Sequence, residues 1–322
     1  MSYILPYLYI VFGFAALIKG ADFFVDGATA IAKKLRIPNI VVGLTIVAMG
    51  TSLPELAVSV SAAIDGSSAI AIGNVVGSNL INILVILGLS AVILPLSVDR
   101  SMFRRDLPVL MLTAAILPVM TLIGGGYFGR ICGAILVALF IGYIALTVRS
   151  ALAYRNITLP EGEAPAEENE AKDLPWWLCA LFTVGGAALI VLGGNFSVDG
   201  ATAIAQQWGV SEAVIGLTVV ALGTSLPELV TSVVAARKGN SDIALGNIVG
   251  SNIFNVLFIL GTTVLVLPFE VAASGLVDQL VLLGVSALLM ITAYTGKKLS
   301  RIEGAAYLAI YAAYLSYLLI SM

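Results

Sequence analysis

The sequence predicts an all-α integral membrane protein with ten transmembrane helices arranged as two inverted five-helix repeats. The first observation is composition: of 322 residues, 60% are hydrophobic and 11% charged, whereas a soluble domain carries roughly a quarter charged residues. The second is a set of ten apolar stretches, each long enough to cross about 30 Å of hydrocarbon. The third is an internal repeat, because residues 26–98 and 199–271 align without a gap and share about 42 of 73 positions.

The apolar stretches divide equally between the two copies. They lie near residues 3–21, 40–63, 69–96, 107–123, 128–148, 175–194, 213–236, 243–267, 277–294 and 305–320. Five is an odd number, so the second copy has to insert in the opposite sense to the first. We therefore assign residues 1–155 to the first repeat and 175–322 to the second. The acidic, proline-bearing segment 156–174 between them is predicted to be a solvated cytoplasmic linker, with a regulatory calcium-binding role as the alternative.

The basic residues predict orientation and location. With the N-terminus outside, fourteen of the 16 Lys and Arg residues fall on the inner side, which predicts a multi-pass protein of the cell membrane with both termini extracellular. No basic run suggests nucleic acid, the lipid bilayer is the expected surrounding, and no protein partner is inferred. The chain has no histidine, and Cys132 and Cys179 fall inside predicted spans, which excludes a Cys/His zinc site. Any bound metal must therefore use oxygen ligands.

A proline interrupts the same span in each copy. Pro54 and Pro227 each remove a backbone hydrogen bond in the middle of an apolar stretch, so the helix is expected to break there. The carbonyl groups freed by the break need partners, because lipid offers none. A cation is a natural partner for them. In the two copies they belong to Ala48, Gly50 and Thr51, and to Ala221, Gly223 and Thr224.

A glutamate follows each of these prolines. Glu55 and Glu228 lie near the predicted bilayer centre, where a carboxylate costs about 2.5–3.5 kcal/mol on insertion scales. No Lys or Arg lies in the middle of a span except Lys19, which is too shallow to serve both glutamates. Bound cations or protons are the remaining compensators. The pair thus predicts a cation site to which each half of the chain contributes one carboxylate.

Helical spacing brings further oxygen atoms towards the glutamates. Thr51 shares a helix face with Glu55, and Ser78 shares one with Asn82. The second copy repeats this pattern with Thr224, Glu228, Ser251 and Asn255. GxxxG patterns at Gly73 and Gly77, and at Gly246 and Gly250, favour close approach of helix backbones. Asp26 and Asp199, which begin the two DGATAIA stretches, are interpreted as helix-end residues.

The duplicated GTSLPE motifs, Gly50 to Glu55 and Gly223 to Glu228, together with GNVVGSN and GNIVGSN, resemble those of the sodium/calcium exchanger family. The resemblance covers essentially the whole chain and is similar to the short prokaryotic members. It implies a calcium site centred on the two glutamates, and a sliding of the first and sixth spans against the other eight. The ligands it implies are Glu55 and Glu228, the carbonyls of Thr51 and Thr224, sodium ligands Ser52, Ser78, Ser225, Ser251, Ala48 and Ala221, and Asn82 and Asn255 between them.

One position departs from the family pattern. Well-described sodium/calcium members carry an aspartate where this chain has Asn255. With two carboxylates, charge neutrality suits one divalent ion, so the counter-ion remains open between sodium and the proton. The sequence therefore predicts a secondary-active antiporter of calcium, with no cofactor, driven by sodium or, alternatively, by protons. A channel is a further alternative, whereas an intramembrane hydrolase lacks a His or Lys base near Ser52 or Ser225, and no enzymatic activity is expected.

Overall fold

The computed structural model describes residues 4–155, 174–209, 221–271 and 275–321, and these residues are almost entirely helical. The elements of the first half are α1 (Leu5–Leu35), α2 (Asn39–Thr51), α3 (Leu53–Ile64), α4 (Ser68–Ile93), β1 (Leu96–Ser97), α5 (Met102–Ile123), β2 (Tyr127–Phe128) and α6 (Arg130–Arg155). Those of the second half are α7 (Trp176–Gln207), α8 (Ala221–Thr224), α9 (Leu226–Arg237), α10 (Ser241–Val266), β3 (Phe269–Glu270), α11 (Gly275–Gly296), β4 (Lys298–Leu299) and α12 (Arg301–Ser321). Apart from Leu174, the predicted linker lies outside the described residues.

The described helices make this a multi-pass membrane protein. Seven of them, α1, α4, α5, α6, α7, α10 and α11, are long and apolar enough to cross a bilayer. The bent pair α2 and α3 counts as an eighth candidate span. The predicted span near 213–236 is described only from residue 221 onward, and α12 covers the last predicted stretch, 305–320. The ten predicted stretches thus all coincide, at least in part, with described helix.

The two halves repeat one order of elements. Helices α3 and α9 begin at Leu53 and Leu226, the same offset of 173 residues that relates the two sequence copies. Helices α1 and α7 pack along each other in antiparallel directions. A Cβ atom added at Gly13 would lie 2.8 Å from the carbonyl oxygen of Gly193, and one added at Gly20 would lie 2.9 Å from that of Gly186. Small residues therefore permit the close approach of these two backbones.

Helix α10 is almost completely buried at the centre of the bundle. Helix α2 crosses it where Gly43 meets Gly246, with an added Cβ atom at Gly43 only 3.1 Å from the Gly246 Cα atom. A Cβ atom added at Gly250 would lie still closer to a backbone, 2.7 Å from the carbonyl oxygen of Leu44. The GxxxG pattern of the second copy therefore permits close approach of two helix backbones, as the sequence predicted. For Gly73 and Gly77 no described atom comes within 4 Å of an added Cβ, and residues 210–220 lie outside the described part of the chain.

The prediction that Asp26 and Asp199 lie at helix ends is wrong. Asp26 lies inside α1 and Asp199 inside α7, because these helices have 31 and 32 residues and continue well beyond the predicted spans. At 1.5 Å per residue they are about 46–48 Å long, longer than the hydrocarbon layer is thick. Asp26 is accommodated by an ion pair with Lys238 of 2.7 Å, and Lys238 also lies 3.3 Å from Asp22.

Two short pairs of antiparallel strands, which the all-α prediction did not include, connect the ends of helices. In the first, Leu96 and Ser97 of β1 pair with Leu299 and Lys298 of β4. In the second, Tyr127 and Phe128 of β2 pair with Glu270 and Phe269 of β3. Each pair has only two residues per strand. Each pair joins one strand from the first half of the chain to one strand from the second half.

Candidate cation site

The helix breaks of the two copies position the site. Helix α2 ends at Thr51 and α3 begins at Leu53, with a bend of 46° between them. The residue at the break is Ser52, with φ −87° and ψ 11°. Pro54 is the second residue of α3, where its missing N–H has no helical partner to lose. The break therefore lies two residues before the proline, and Ser225 occupies the same place before α9 with φ −86° and ψ 2°.

The two break serines bond across the molecule. A serine at this position normally caps its own helix, but neither side chain makes a capping hydrogen bond. Instead, the Ser52 hydroxyl donates to Glu228 Oε1 at 2.6 Å, and the Ser225 hydroxyl donates to Glu55 Oε1 at 3.3 Å. Each glutamate is thus held by the serine of the opposite half, which places both carboxylates in one central cluster.

Both glutamates are buried without a cationic partner. Their exposed fractions are 1% for Glu55 and 0% for Glu228, and among the described residues neither forms an ion pair with Lys or Arg. The N–H groups at the start of α3 and α9 give partial compensation, because each carboxylate lies in the first turn of its helix. The second oxygen, Oε2, of each glutamate is buried and has no hydrogen-bond partner in the described part of the chain. An unpartnered buried carboxylate oxygen is costly unless a positive group binds it.

Four side chains that the sequence predicts as ligands offer neutral oxygens, and all four are buried. Ser251 Oγ lies 3.0 Å from Ser52 Oγ and 3.5 Å from the carbonyl oxygen of Ala48. The remaining predicted oxygens are buried and lack a hydrogen-bond partner among the described residues; they are Ser78 Oγ, Asn82 Oδ1 and Asn255 Oδ1. Ser251 therefore contacts the Ser52–Glu228 pair, and the other three side chains keep buried oxygens whose bonding capacity is unfilled among the described residues.

The threonine side chains have other partners. The Thr51 hydroxyl donates within α2 to Val47 O at 3.1 Å, and it also lies 3.1 Å from Asn247 Oδ1. Thr224 lies 3.5 Å from Asn74 Oδ1 in the corresponding contact. This leaves the backbone carbonyls of these threonines as the candidate ligands, as the sequence predicted. Ala221, the other predicted carbonyl ligand, begins the described part of α8.

Sequence reasoning missed two asparagines that hold the glutamate turns. Asn74 Nδ2 donates to the Glu55 carbonyl at 3.1 Å and to Ser59 Oγ at 2.9 Å. Asn247 Nδ2 makes the equivalent contacts, 3.4 Å to the Glu228 carbonyl and 2.9 Å to the Ser232 hydroxyl. The signal was present, because both are the first asparagine of a duplicated GN(V/I)VGSN stretch. Their partners lie 15 and 19 residues away on another helix, so helical spacing alone did not reveal the role.

A third missed asparagine, Asn79, orients Asn255. Asn255 Nδ2 donates to Asn79 Oδ1 at 3.0 Å, and Asn79 Nδ2 in turn donates to the Asn252 carbonyl at 3.2 Å. Because the amide nitrogen of Asn255 is engaged, its oxygen is the atom left available. Asn255 thus offers a neutral oxygen at the position where the family pattern has a carboxylate.

The chemistry of the cluster suits a hard cation. Among the described residues no three His, Cys, Asp or Glu side chains group together, so the charge of the site comes from its two glutamates. Carboxylate, hydroxyl, amide and backbone oxygens are the ligands that Ca²⁺ takes, six to eight at a time. Two ionised carboxylates also match the charge of one divalent ion.

Comparisons with known proteins find relatives along nearly the whole chain. The family model described as "Sodium/calcium exchanger protein" matches residues 5–149 and 178–320. The chain is 37% identical to the putative antiporter CaxA of Alkalimonas amylolytica over 98% of both sequences. It is 35% identical to the sodium/calcium exchanger MaX1 of Methanosarcina acetivorans, over 96% of this chain and 97% of that protein. A solved structure of the sodium-calcium exchanger NCX_Mj, soaked with Na⁺ and Sr²⁺, superposes with a TM-score of 0.84 at 33% identity, covering 97% of this chain and 98% of that one.

Proposed function

The chain belongs to the sodium/calcium exchanger protein family, and from that premise we propose that it exchanges Ca²⁺ for Na⁺ across the cell membrane by alternating access. Membership makes it an antiporter-type transporter of calcium and other cations. Beyond membership, we propose which ion drives transport, which residues bind the ions and how the site changes its exposure. The relatives MaX1 and NCX_Mj, both named as sodium/calcium exchangers, support sodium as that ion.

One observation carries the proposal. Glu55 and Glu228, one from each half, are buried, and each accepts a hydrogen bond from the break serine of the opposite half. The other oxygen of each carboxylate has no partner in the part of the chain that the structure describes. Without a bound cation the two carboxylates would have to be buried as uncompensated like charges, which is costly, or take up protons. A site that binds either one Ca²⁺ or Na⁺ ions can pass both through the same cluster in turn, which is what exchange requires.

The proposed ligands follow the sequence prediction. Glu55 and Glu228 bind the divalent ion together with the Thr51 and Thr224 carbonyls. The flanking sodium ligands are Ser52, Ser78, Ser225 and Ser251, with the carbonyls of Ala48 and Ala221, and Asn82 and Asn255 line the middle of the cluster. The unpartnered oxygens of Ser78, Asn82 and Asn255 support this assignment.

The proposed architecture has ten spans in two inverted repeats, 1–155 and 175–322, joined by an acidic cytoplasmic linker. The antiparallel packing of α1 and α7, which occupy equivalent places in the two copies, supports the inversion. With both termini extracellular, we expect these two helices to slide against the remaining helices and expose the cluster to one side at a time. Their glycine-lined contact favours motion as a pair.

Flux into proteoliposomes tests the proposal. Vesicles containing the purified protein are loaded with NaCl and diluted into choline chloride with radioactive Ca²⁺, so that only a sodium gradient drives uptake. We expect uptake well above that of vesicles with equal sodium on both sides. Equal uptake with choline on both sides would show that sodium is not the counter-ion.

A calcium/proton antiporter is the second candidate, and Asn255 favours it. A cluster with two carboxylates gains excess positive charge when it binds several Na⁺ ions, whereas two protons or one Ca²⁺ leave it neutral. The same vesicles, prepared without sodium and given an acidic interior, distinguish the two. Uptake driven by the pH difference and abolished by a protonophore would replace sodium with the proton.

A further inference from the structure

A cavity lies at the end of the bundle, and none of its lining residues belongs to the glutamate cluster. It has a volume of about 400 Å³ and lies where α11 ends and the segment between β1 and α5 begins. Six residues line it, Val98, Arg100, Phe103, Ala293, Tyr294 and Lys297. We call it the Arg100–Lys297 cleft, after its two cationic residues. Because one apolar helix ends and another begins here, the cleft lies at the level where the chain leaves the hydrocarbon layer.

The two basic side chains of the cleft have no neutralising partner among the described residues. Neither Arg100 nor Lys297 forms an ion pair or a side-chain hydrogen bond within the described part of the chain. The nearest carboxylate in sequence, Asp99, accepts hydrogen bonds from the Ser101 hydroxyl at 2.5 Å and from its backbone N–H at 3.1 Å. Arg104, Lys298 and Arg301 lie close by in the chain, which gives this end of the bundle an excess of positive charge.

The backbone holds Lys297 in a conformation that glycine prefers. Its φ is +50°, and Arg36 is the one other described non-glycine residue with a positive φ. Hydrogen bonds from Lys297 N–H to Ala293 O and from Val98 N–H to Lys297 O fix it there. Beside the other strand pair, the equivalent bond runs from Val271 N–H to the carbonyl of Gly126, whose φ is +85°. Lys297 therefore occupies the position that Gly126 has in the other turn, although a left-handed conformation favours glycine. The difference between the two turns is that the first carries a basic side chain.

The apolar wall of the cleft is aromatic. The rings of Phe103 and Tyr294 lie 5.2 Å apart, and Tyr294 is 68% exposed. Amphipathic aromatic rings are typical of the membrane–water interface, where they contact both lipid chains and head groups. The cleft thus combines two free cations with an apolar wall at one depth.

We propose that the Arg100–Lys297 cleft binds an anionic phospholipid, with its phosphate between the two cations and its glycerol and upper acyl chain against Phe103 and Tyr294. Basic pockets between transmembrane helices on the face rich in Lys and Arg are suited to such head groups, since anionic lipids accumulate on the cytoplasmic side. This site takes no part in ion exchange. A lipid bound there would contact both the end of α11 and the start of α5.

Lipid binding to the full chain, purified and delipidated in mild detergent, tests this. Native mass spectrometry compares dioleoylphosphatidylglycerol, dioleoylphosphatidylcholine and inorganic phosphate at matched concentrations. We expect preferential binding of phosphatidylglycerol. Lys297→Gly, which also gives the turn its preferred residue, should weaken that binding roughly fivefold, as for the loss of one basic residue near a membrane surface. Arg100→Gln should weaken it similarly.

Lys298→Gln is the matched control, because it removes the neighbouring charge from outside the cleft. It should keep most of the preference, and Lys297→Gly should keep the melting temperature measured without lipid. Equal binding of the two lipids to the unmodified protein would overturn the proposal. So would an effect of Lys298→Gln as large as that of Lys297→Gly, or saturation by inorganic phosphate that leaves no preference between the lipids.

Discussion

Ser52 donates a 2.6 Å hydrogen bond to Glu228, a residue that the opposite half of the chain supplies. The reciprocal bond from Ser225 to Glu55 is longer, at 3.3 Å. Ser52 also lies 3.0 Å from the hydroxyl of Ser251, which adds a second contact on its side. The two halves of the cluster are therefore built from the same residues but are held unequally, with the Glu228 side more tightly bonded.

This inequality predicts that the two break serines contribute unequally to transport. Ser52→Ala removes a donor to a buried carboxylate, a bond worth about 1.5–3 kcal/mol, together with one sodium ligand of the proposed site. We expect the sodium concentration that half-saturates exchange to rise roughly tenfold. Ser225→Ala should have a smaller effect. The measurement is calcium uptake as a function of internal sodium in proteoliposomes.

Ser61→Ala is a suitable control, because Ser61 lies on the same helix, α3, with an exposed side chain. It should leave the sodium dependence unchanged. If Ser52→Ala and Ser61→Ala behave alike, the bond between Ser52 and Glu228 has no part in ion binding.

Removal of one central charge should stop transport without unfolding the protein. Glu55→Gln keeps the size of the side chain and removes a charge that is buried and unpaired by any described cation. Calcium uptake should fall to background, and the melting temperature without ions should not decrease, since the amide has less to lose on burial. Added Ca²⁺ should stabilise the unmodified protein but not the variant, because ligand binding to the folded state raises stability.

Glu270→Gln, at an exposed carboxylate of β3, provides the comparison and should retain both uptake and calcium-dependent stabilisation. Calcium flux retained by Glu55→Gln would remove Glu55 from its proposed role.

The duplicated sequence was sufficient to predict the helix breaks and the central glutamates, because a buried charge repeated beside a repeated proline has few structural explanations. It was not sufficient to pair them. The serine bonds join residues 170 and 176 positions apart, and no helical periodicity encodes which serine of one half meets which glutamate of the other. Asp26 was misplaced for a related reason, since its partner Lys238 lies on a distant helix and makes a charged residue acceptable inside α1.

Asn255 allows a direct test of how site charge determines coupling. Asn255→Asp adds a third carboxylate to the cluster, and it also removes the amide donor that bonds Asn79 Oδ1 at 3.0 Å. Without ions the variant should be destabilised by at least about 1–3 kcal/mol, because a buried acceptor loses its donor and a new charge is buried. Sodium should restore this stability, and exchange should depend more steeply on sodium concentration.

Thermal unfolding across a sodium series measures the first effect, and the Hill coefficient of sodium-driven calcium uptake measures the second. Asn252→Asp offers a control on the same helix, since Asn252 is also buried but its amide bonds its own helix at Ile248 O. A variant Asn255→Asp whose stability and sodium dependence match those of the unmodified protein would place residue 255 outside the ion path.

The ion pair between Lys238 and Asp26 should restrain the motion proposed for α1. Lys238 directly follows α9, and its ammonium group bonds Asp26 at 2.7 Å and the Asp22 carbonyl at 2.9 Å. The offset of 173 residues places Asp65 and Asp199, two like charges, at the equivalent positions of the other copy. An ion pair therefore restrains α1, and the equivalent positions of the second copy do not provide one for α7.

Partly exposed pairs contribute up to about 1 kcal/mol, so Lys238→Gln should raise amide hydrogen exchange in the second half of α1 by roughly fivefold or less. Asp26→Asn should act similarly and the double variant should add little, while Lys19→Gln, an exposed lysine of α1, should change nothing. Exchange in α1 that is the same in all four variants as in the unmodified protein would mean that the pair does not restrain this helix.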